Sequence, residues 1–456
     1  MKIYFSIIAL VSGLLFLNSC DSPKEKDVKS ETPAVLIDGH PDWIMQGNIY
    51  EVNVRQYTPE GTFKAFSASL PRLKEMGVQT LWFMPVNPIS KVDRKGALGS
   101  YYAVSDYYGI NPEYGTMDDF KALVKQAKTM GFKIIIDWVP NHTGADHYWL
   151  KTNPDFYVTD SSGKAVSQFD WSDTRKLNYN NTVMADSMIQ TMKYWLTETG
   201  IDGFRVDVAW GLPDEFWKKC IPELKKTNPN IFMLAEADGA QYHNDGFDAS
   251  YPWTIFHMMN KIAAGERPAF ALDSVIKTMD TTYPASAIRL YFTSNHDENS
   301  WNKADYATMP GPIHAPFSVL TQTLARSVPL VYSGQEEPFL DSISFFYKDT
   351  ISFGKFQRAP FYKTLLELRK STPALAANAS SRKVVVGDEK ALYAYVREAA
   401  GKKVLVILNL SAKEQTITIK DPSLLGEPMN VFMGSKEKLS DKPWNMEPWG
   451  YVIYVY

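Results

Sequence analysis

Cysteine is almost absent from this chain. Only Cys20 and Cys220 occur among its 456 residues, so neither a disulfide framework nor a cysteine-built metal site is available. An excess of one charge is absent too. Lys and Arg number 48 against 51 Asp and Glu, and no basic stripe stands out, which argues against a nucleic-acid partner. No internal repeat is visible. Apolar runs long enough to touch a membrane are lacking except at the N-terminus.

That one run, Ile3 to Leu17, follows Lys2 and leads into Leu17-Asn-Ser-Cys20. It is shorter than the ~20 residues a spanning helix needs. It reads as a bacterial lipoprotein signal peptide over residues 1–19, cut before Cys20, with lipid on the Cys20 sulfur. The expectation is a protein held by that lipid at the membrane of the cell envelope, on the outer membrane or facing the periplasm. Residues 20–40 are polar, carry Pro23 and Pro33, and read as a tether. Cys220 then has no partner and, within a helical stretch, is expected to be a buried small hydrophobe.

What the chain does have is a large apolar share, 45%, with 12 Trp and 25 Tyr. That is ample for a core and for more than one domain, and surplus aromatics suit a groove for sugars. Strand-like runs alternate with helical ones. Gly47 to Asn53, Val78 to Met84, Phe132 to Trp138, Ile201 to Val206, Ile231 to Ala235, Ala287 to Phe292 and Val328 to Tyr332 read as strands. Phe66 to Met76, Met117 to Met130, Met184 to Thr199 and Asp214 to Lys226 have helical spacing. Such alternation implies βα units and a parallel sheet. From about residue 378 short β-rich runs take over, implying an antiparallel, sandwich-like second domain.

Four stretches end strand runs and carry chemistry: Asp137-Trp-Val-Pro-Asn-His142, Gly203-Phe-Arg-Val-Asp207, Leu234-Ala-Glu236 and Ser294-Asn-His-Asp297. In this order, with Gly99-Ser-Tyr-Tyr102 before them, they resemble the α-amylase superfamily, glycoside hydrolase family 13, from about Gly47 to the C-terminus. The resemblance implies an α/β fold: a (β/α)8 TIM barrel over residues 41–377, an insertion over 139–180 after the third strand, and a β-sandwich over 378–456. Retaining glycoside hydrolysis needs a carboxylate nucleophile and a carboxylic acid roughly 5–5.5 Å apart. The resemblance assigns Asp207 as nucleophile, Glu236 as acid and base, and Asp297 as the third catalytic acid, which grips sugar hydroxyls. Arg205, two residues before Asp207, shares its strand face and would favour an ionised Asp207. Tyr102, His142, Arg205 and His296 are expected at the substrate, and Asp137 in support. Asp238 competes with Glu236, and Trp138, Trp171 and Trp210 are either packing or sugar platforms.

The chain also departs from the family. Many members bind calcium through the Asn of the first motif, an Asp in a later string and a His after the nucleophile. Here Asn141 stays, Lys176 stands where the Asp would be, and Trp210 and Gly211 replace a Lys-His pair. A Lys in that place repels calcium, which prefers oxygen ligands, so no metal ligand and no cofactor is assigned. The expected activity is cleavage of α-1,4-glucosidic bonds in starch, glycogen or maltooligosaccharides. An α-1,6-glucosidase or transglycosylase on the same residues, or a catalytically silent glycan-binding protein, are the rivals.

Overall fold

The computed structural model describes residues 35–337 and 341–456. The expected signal peptide, Cys20 and most of the tether lie outside the described residues. Eight parallel strands close into a barrel: β1 (Ile49–Val52), β2 (Thr80–Phe83), β3 (Lys133–Trp138), β4 (Gly203–Val206), β5 (Phe232–Ala235), β6 (Ala249–Ser250), β7 (Ile288–Tyr291) and β8 (Ser327–Tyr332). Each pairs with the next, and β8 returns to β1. All but β6 arise from the expected runs. β6 has only two residues, too few for any alternation to show.

Side chains alternate between the two faces of a strand. Ile49, Trp82, Ile135, Leu234, Leu290 and Leu330 meet inside the barrel as one buried cluster. Their neighbours Val52, Phe83, Ile136, Phe204 and Met233 face outward, into the core shared with the helices. The same alternation turns Glu51, Asp137 and Arg205 inward, each fully enclosed. This is the physical reason that charged residues in strand runs converge at one end of the barrel.

The helices follow their local signals. α1 (Met117–Thr129) opens on a reciprocal capping box between Thr116 and Asp119. α2 (Thr182–Thr199) is capped by Asn181 and ends at Gly200, whose φ of 68° suits glycine. α3 (Asp214–Thr227) buries Cys220, as expected. The single helix read over Phe66 to Met76 is instead two, Phe63–Ser67 and Leu70–Glu75. Pro71, lacking an N–H, sits in the first turn of the second piece, where it is tolerated. Four later helices were not singled out from sequence: α4 (Trp253–Ala263), α5 (Ala271–Thr282), α6 (His314–Thr323) and α7 (Ala359–Ser371). The segment after β3 holds a small antiparallel pair, His142–Gly144 with Thr174–Lys176.

The C-terminal region builds a six-stranded antiparallel sheet around β9 (Ser380–Val384), β10 (Leu392–Ala399), β11 (Lys402–Asn409) and β12 (Tyr451–Val455). One face, with Tyr393, Tyr395, Val404 and Val406, packs on Leu320 of α6 and Leu365 of α7. The other, with Ala394, Val396, Leu405 and Ile407, packs on Ile417 and Met446 of a separate two-stranded sheet. The period-2 pattern thus divides one sheet between two cores.

Candidate active site

Arg205 organises the site. It lies in register with Asp137 across the β3–β4 pair. Its Nη1 donates to Asp137 Oδ1 at 2.9 Å and to Asp207 Oδ1 at 3.1 Å. Its Nη2 lies 3.2 Å from Glu236 Oε2. Nε donates to the Tyr251 hydroxyl, and the guanidinium sits 5.2 Å over the Trp82 ring. A fully buried cation costs several kcal/mol of desolvation unless it is paired, and here three carboxylates pair it.

Directly after Asp207 the backbone turns sharply. Val208 has a φ of 47°, a left-handed conformation that costs a β-branched residue about 1–3 kcal/mol. The turn aims the Val208 N–H at Glu236 Oε2, 2.7 Å away. Glu236 Oε1 has no hydrogen-bond partner among the described residues and is left for the cleft.

On the other side, the Tyr102 hydroxyl lies 3.1 Å from Asp137 Oδ2 and 2.6 Å from His296 Nε2. The two rings stack at 5.5 Å. His296 Nε2 also lies 3.2 Å from Asp297 Oδ2, and its Nδ1 lies 2.5 Å from Glu51 Oε1. Asn141 Nδ2 donates to His142 Nδ1 at 3.0 Å and to Gln168 Oε1 at 2.9 Å.

Tyr102, His142, Asp207, Glu236 and Asp297 line one cleft of about 470 Å³. Arg205 and His296, expected to touch substrate, do not line it. They are 0% and 1% exposed and stand behind the lining, where they set the charge of the residues in front. Asp238 lies apart from the cleft, where it binds Arg289, Thr254 and the Tyr283 hydroxyl in a separate depression. Trp138 is core, Trp171 lines the cleft and Trp210 is 48% exposed. Trp301 and Phe345, 5.4 Å apart, also line the cleft, which the motifs did not reveal. Glu51 was missed as well. Its signal was a charged residue at an inward position of an apolar strand run.

The electrostatics follow from burial and crowding. Burial pushes Asp207 well above the usual carboxylate range; the adjacent Glu236 adds to this and Arg205 opposes it. Burial likewise pushes Asp137 up to about 6 against the pull of Arg205 and His296. Asp297 is also raised by burial, but the His296 charge and hydrogen bond more than offset this and leave it below its ordinary value. Burial lowers His142 to about 4, so it stands as neutral imidazole.

Both amide protons of Asn141 are donated, to Gln168 and His142. Its Oδ1 lies against Gly211, where an added Cβ would come within 2.6 Å. Among the described residues no group of three or more His, Cys, Asp or Glu is placed to hold a metal.

Residues 32–352 match the sequence family described as alpha amylase, catalytic domain, and residues 392–453 match the alpha-amylase SusG C-terminal domain. The chain is 24% identical over 450 residues to Alpha-amylase 3 of Dictyoglomus thermophilum, covering 83% of this chain and 87% of that one. Among solved structures, an alpha-amylase from Lactobacillus plantarum is 28% identical with a TM-score of 0.81, covering 91% of this chain and 99% of the other. A noncanonic maltogenic alpha-amylase from Thermotoga neapolitana is 26% identical with the same TM-score, covering 90% and 99%. With its catalytic-domain match running over more than half its length, on a closed barrel that gathers these acids, the chain belongs to the α-amylase family.

Proposed function

We propose that the protein hydrolyses α-1,4-glucosidic bonds of starch, glycogen or maltooligosaccharides by double displacement. One arrangement carries this reading: Asp207 and Glu236 share the Arg205 guanidinium, and Asp297 faces the same cleft. Asp207 attacks the anomeric carbon as the glycosidic C–O bond breaks, and Glu236 gives its proton to the departing oxygen. Water then attacks the same carbon and returns a proton to Glu236, the Asp207 ester breaks, and the two inversions leave the configuration retained. In the reactive complex Glu236 Oε1 carries the proton and Asp207, held by Arg205, is bare. Asp297, an acceptor only, accepts hydrogen bonds from the sugar hydroxyls.

A second reading, glucosyl transfer, is favoured by the acceptor side. Phe169 lies 5.0 Å from Trp171, which lines the cleft, and 6.1 Å from Trp210, forming an aromatic shelf. A sugar stacked there stands where water must otherwise enter. Relatives include Neopullulanase 2, a cyclomaltodextrinase and an α-1,4-glucan:maltose-1-phosphate maltosyltransferase. Product analysis on maltoheptaose, pullulan and isomaltose separates the outcomes. Shortened maltooligosaccharides of retained configuration support hydrolysis, and lengthened ones support transfer. Cleavage of isomaltose alone supports a 1,6-glucosidase. Amylose binding without any reducing sugar released contradicts catalysis.

We also read the chain as an envelope lipoprotein, on the strength of its first twenty residues. Wild-type protein should partition with membranes, and Cys20→Ala should release it or leave the signal uncut. Soluble wild-type protein with an unmodified Cys20 contradicts this.

A further inference from the structure

Five carboxylates crowd the end of this barrel: Glu51, Asp137, Asp207, Glu236 and Asp297. Arg205 serves three of them but touches neither Glu51 nor Asp297. Those two flank His296, one at each ring nitrogen.

We propose that Glu51 is a positioning residue: its buried carboxylate holds His296 doubly protonated, and the imidazolium keeps Asp297 ionised and aimed at the bound sugar. The proposal rests on the glycosidase reading above.

His296 Nδ1 faces Glu51 Oε1 at 2.5 Å; burial pushes the Glu51 carboxyl up while the His296 charge and hydrogen bond pull it down, and an ionised Glu51 can only accept, so with Glu51 ionised Nδ1 carries hydrogen. His296 Nε2 faces the Tyr102 oxygen at 2.6 Å and Asp297 Oδ2 at 3.2 Å. With the Tyr102 hydrogen placed on Asp137 Oδ2, 3.1 Å away, both oxygens at Nε2 also call for a donor. Two N–H groups make the ring a cation. Burial alone would push His296 down, yet the charges of Asp297 and Glu51 hold it well above its ordinary value. The groups facing the ring from every side agree. Glu51 comes from β1, Trp82 lies edge-on from β2, and Asp137 from β3 connects through Tyr102. Arg205 from β4 is the one other cation of the cluster and is already engaged.

Glu51 itself touches no part of the cleft. It is 0% exposed, and its second oxygen, Oε2, has no partner among the described residues. A carboxylate left half-solvated by protein is costly, and a purely structural acceptor at this place could be neutral. Its charge does one evident thing: it pairs the histidine that pairs Asp297. This is the arrangement in which a residue behind the lining tunes one in front of it, and removing such a partner typically lowers activity about 10–100-fold.

The test is ¹⁵N NMR of the His296 ring in the full-length enzyme, its signals identified among seven histidines by their loss in His296→Gln. Both ring nitrogens should be protonated from pH 5 to 8. A wild-type ring with only one protonated nitrogen at pH 7 overturns the proposal, whether or not any variant folds. Glu51→Gln keeps the shape and removes the charge. It should lower kcat/KM on maltoheptaose about 10–100-fold and move the basic limb of the pH profile to lower pH. In an Asp297→Asn background the same change should cost less than about twofold, because the two act as one unit. An unmoved pH limb, or fully additive losses, would show that Glu51 is only structural. If the wild type cleaves no α-glucan, the glycosidase reading fails on its own, while the NMR result still decides the state of the pair.

Discussion

At the scale of single residues, Arg205 ties Asp207 and Glu236 to one guanidinium, and the two acids have different tasks. Asp207→Asn removes the attacking oxygen and should lower turnover about 10⁴-fold or more. Circular dichroism and melting should stay close to wild type. Asp238→Asn, two residues beyond Glu236 and turned toward Arg289, should keep turnover within severalfold. Equal losses in both would mean that Glu236 and Asp238 have been confused. Much of this was legible in the sequence, because strand ends and period-2 facing place motif residues together. What stayed hidden was which residue stands in front. Arg205 and His296 share motifs with lining acids, but only packing decides that they sit behind them. Glu51 lay in no motif, and its partner His296 is distant in sequence.

At the scale of elements, the six-stranded sheet is bolted to the barrel by a buried cation. Arg397 of β10 donates to the carbonyls of Ser380, Ala379, Ala376 and Thr323. Losing it leaves the Thr323 and Ala379 carbonyls buried without that donor, which should destabilise the protein by about 2 kcal/mol or more. Arg397→Lys should recover little, since an ammonium cannot span four acceptors in that fork. Urea denaturation measures this, and a lysine variant as stable as wild type would contradict it. The sequence showed the β-rich runs but gave no sign of this anchor, because an arginine in a strand usually reads as a solvated face. β6 and the break at Pro71 escaped for a related reason: two residues make no period, and one apolar stripe crosses both short helices. The aromatic shelf of Phe169, Trp171 and Trp210 likewise depends on how the insertion folds back. Trp210→Ala should raise the ratio of hydrolysis to transfer in maltoheptaose digests, and an unchanged ratio would remove the shelf from the acceptor site.

At the scale of the whole molecule, stability should depend on acid through buried neutral histidines. Burial lowers His147 to about 3, below its unfolded value near 6.5. The unfolded chain therefore binds the proton first. The stabilising contribution is complete above about pH 6.5, declines as pH falls, and reaches about 3 kcal/mol of loss near pH 4. His147→Asn keeps an acceptor for the Trp149 N–H and cannot charge. Its melting temperature should therefore fall less than that of wild type between pH 6.5 and 4; parallel curves would contradict the assignment. A chelator should leave melting and activity unchanged, given Lys176 where the family's acidic ligand would stand. A drop of several degrees would reinstate a metal.

The central claim is that Asp207 is the nucleophile and Glu236 the acid and base across one bound sugar. The most direct measurement uses the Glu236→Gln variant with an α-glucosyl fluoride, whose leaving group needs no proton. The first step should proceed and the second stall, so peptide mass spectrometry should find one glucosyl unit on the peptide carrying Asp207. A glucosyl unit on any other residue, or undiminished turnover of maltoheptaose by this variant with none trapped, would contradict the account.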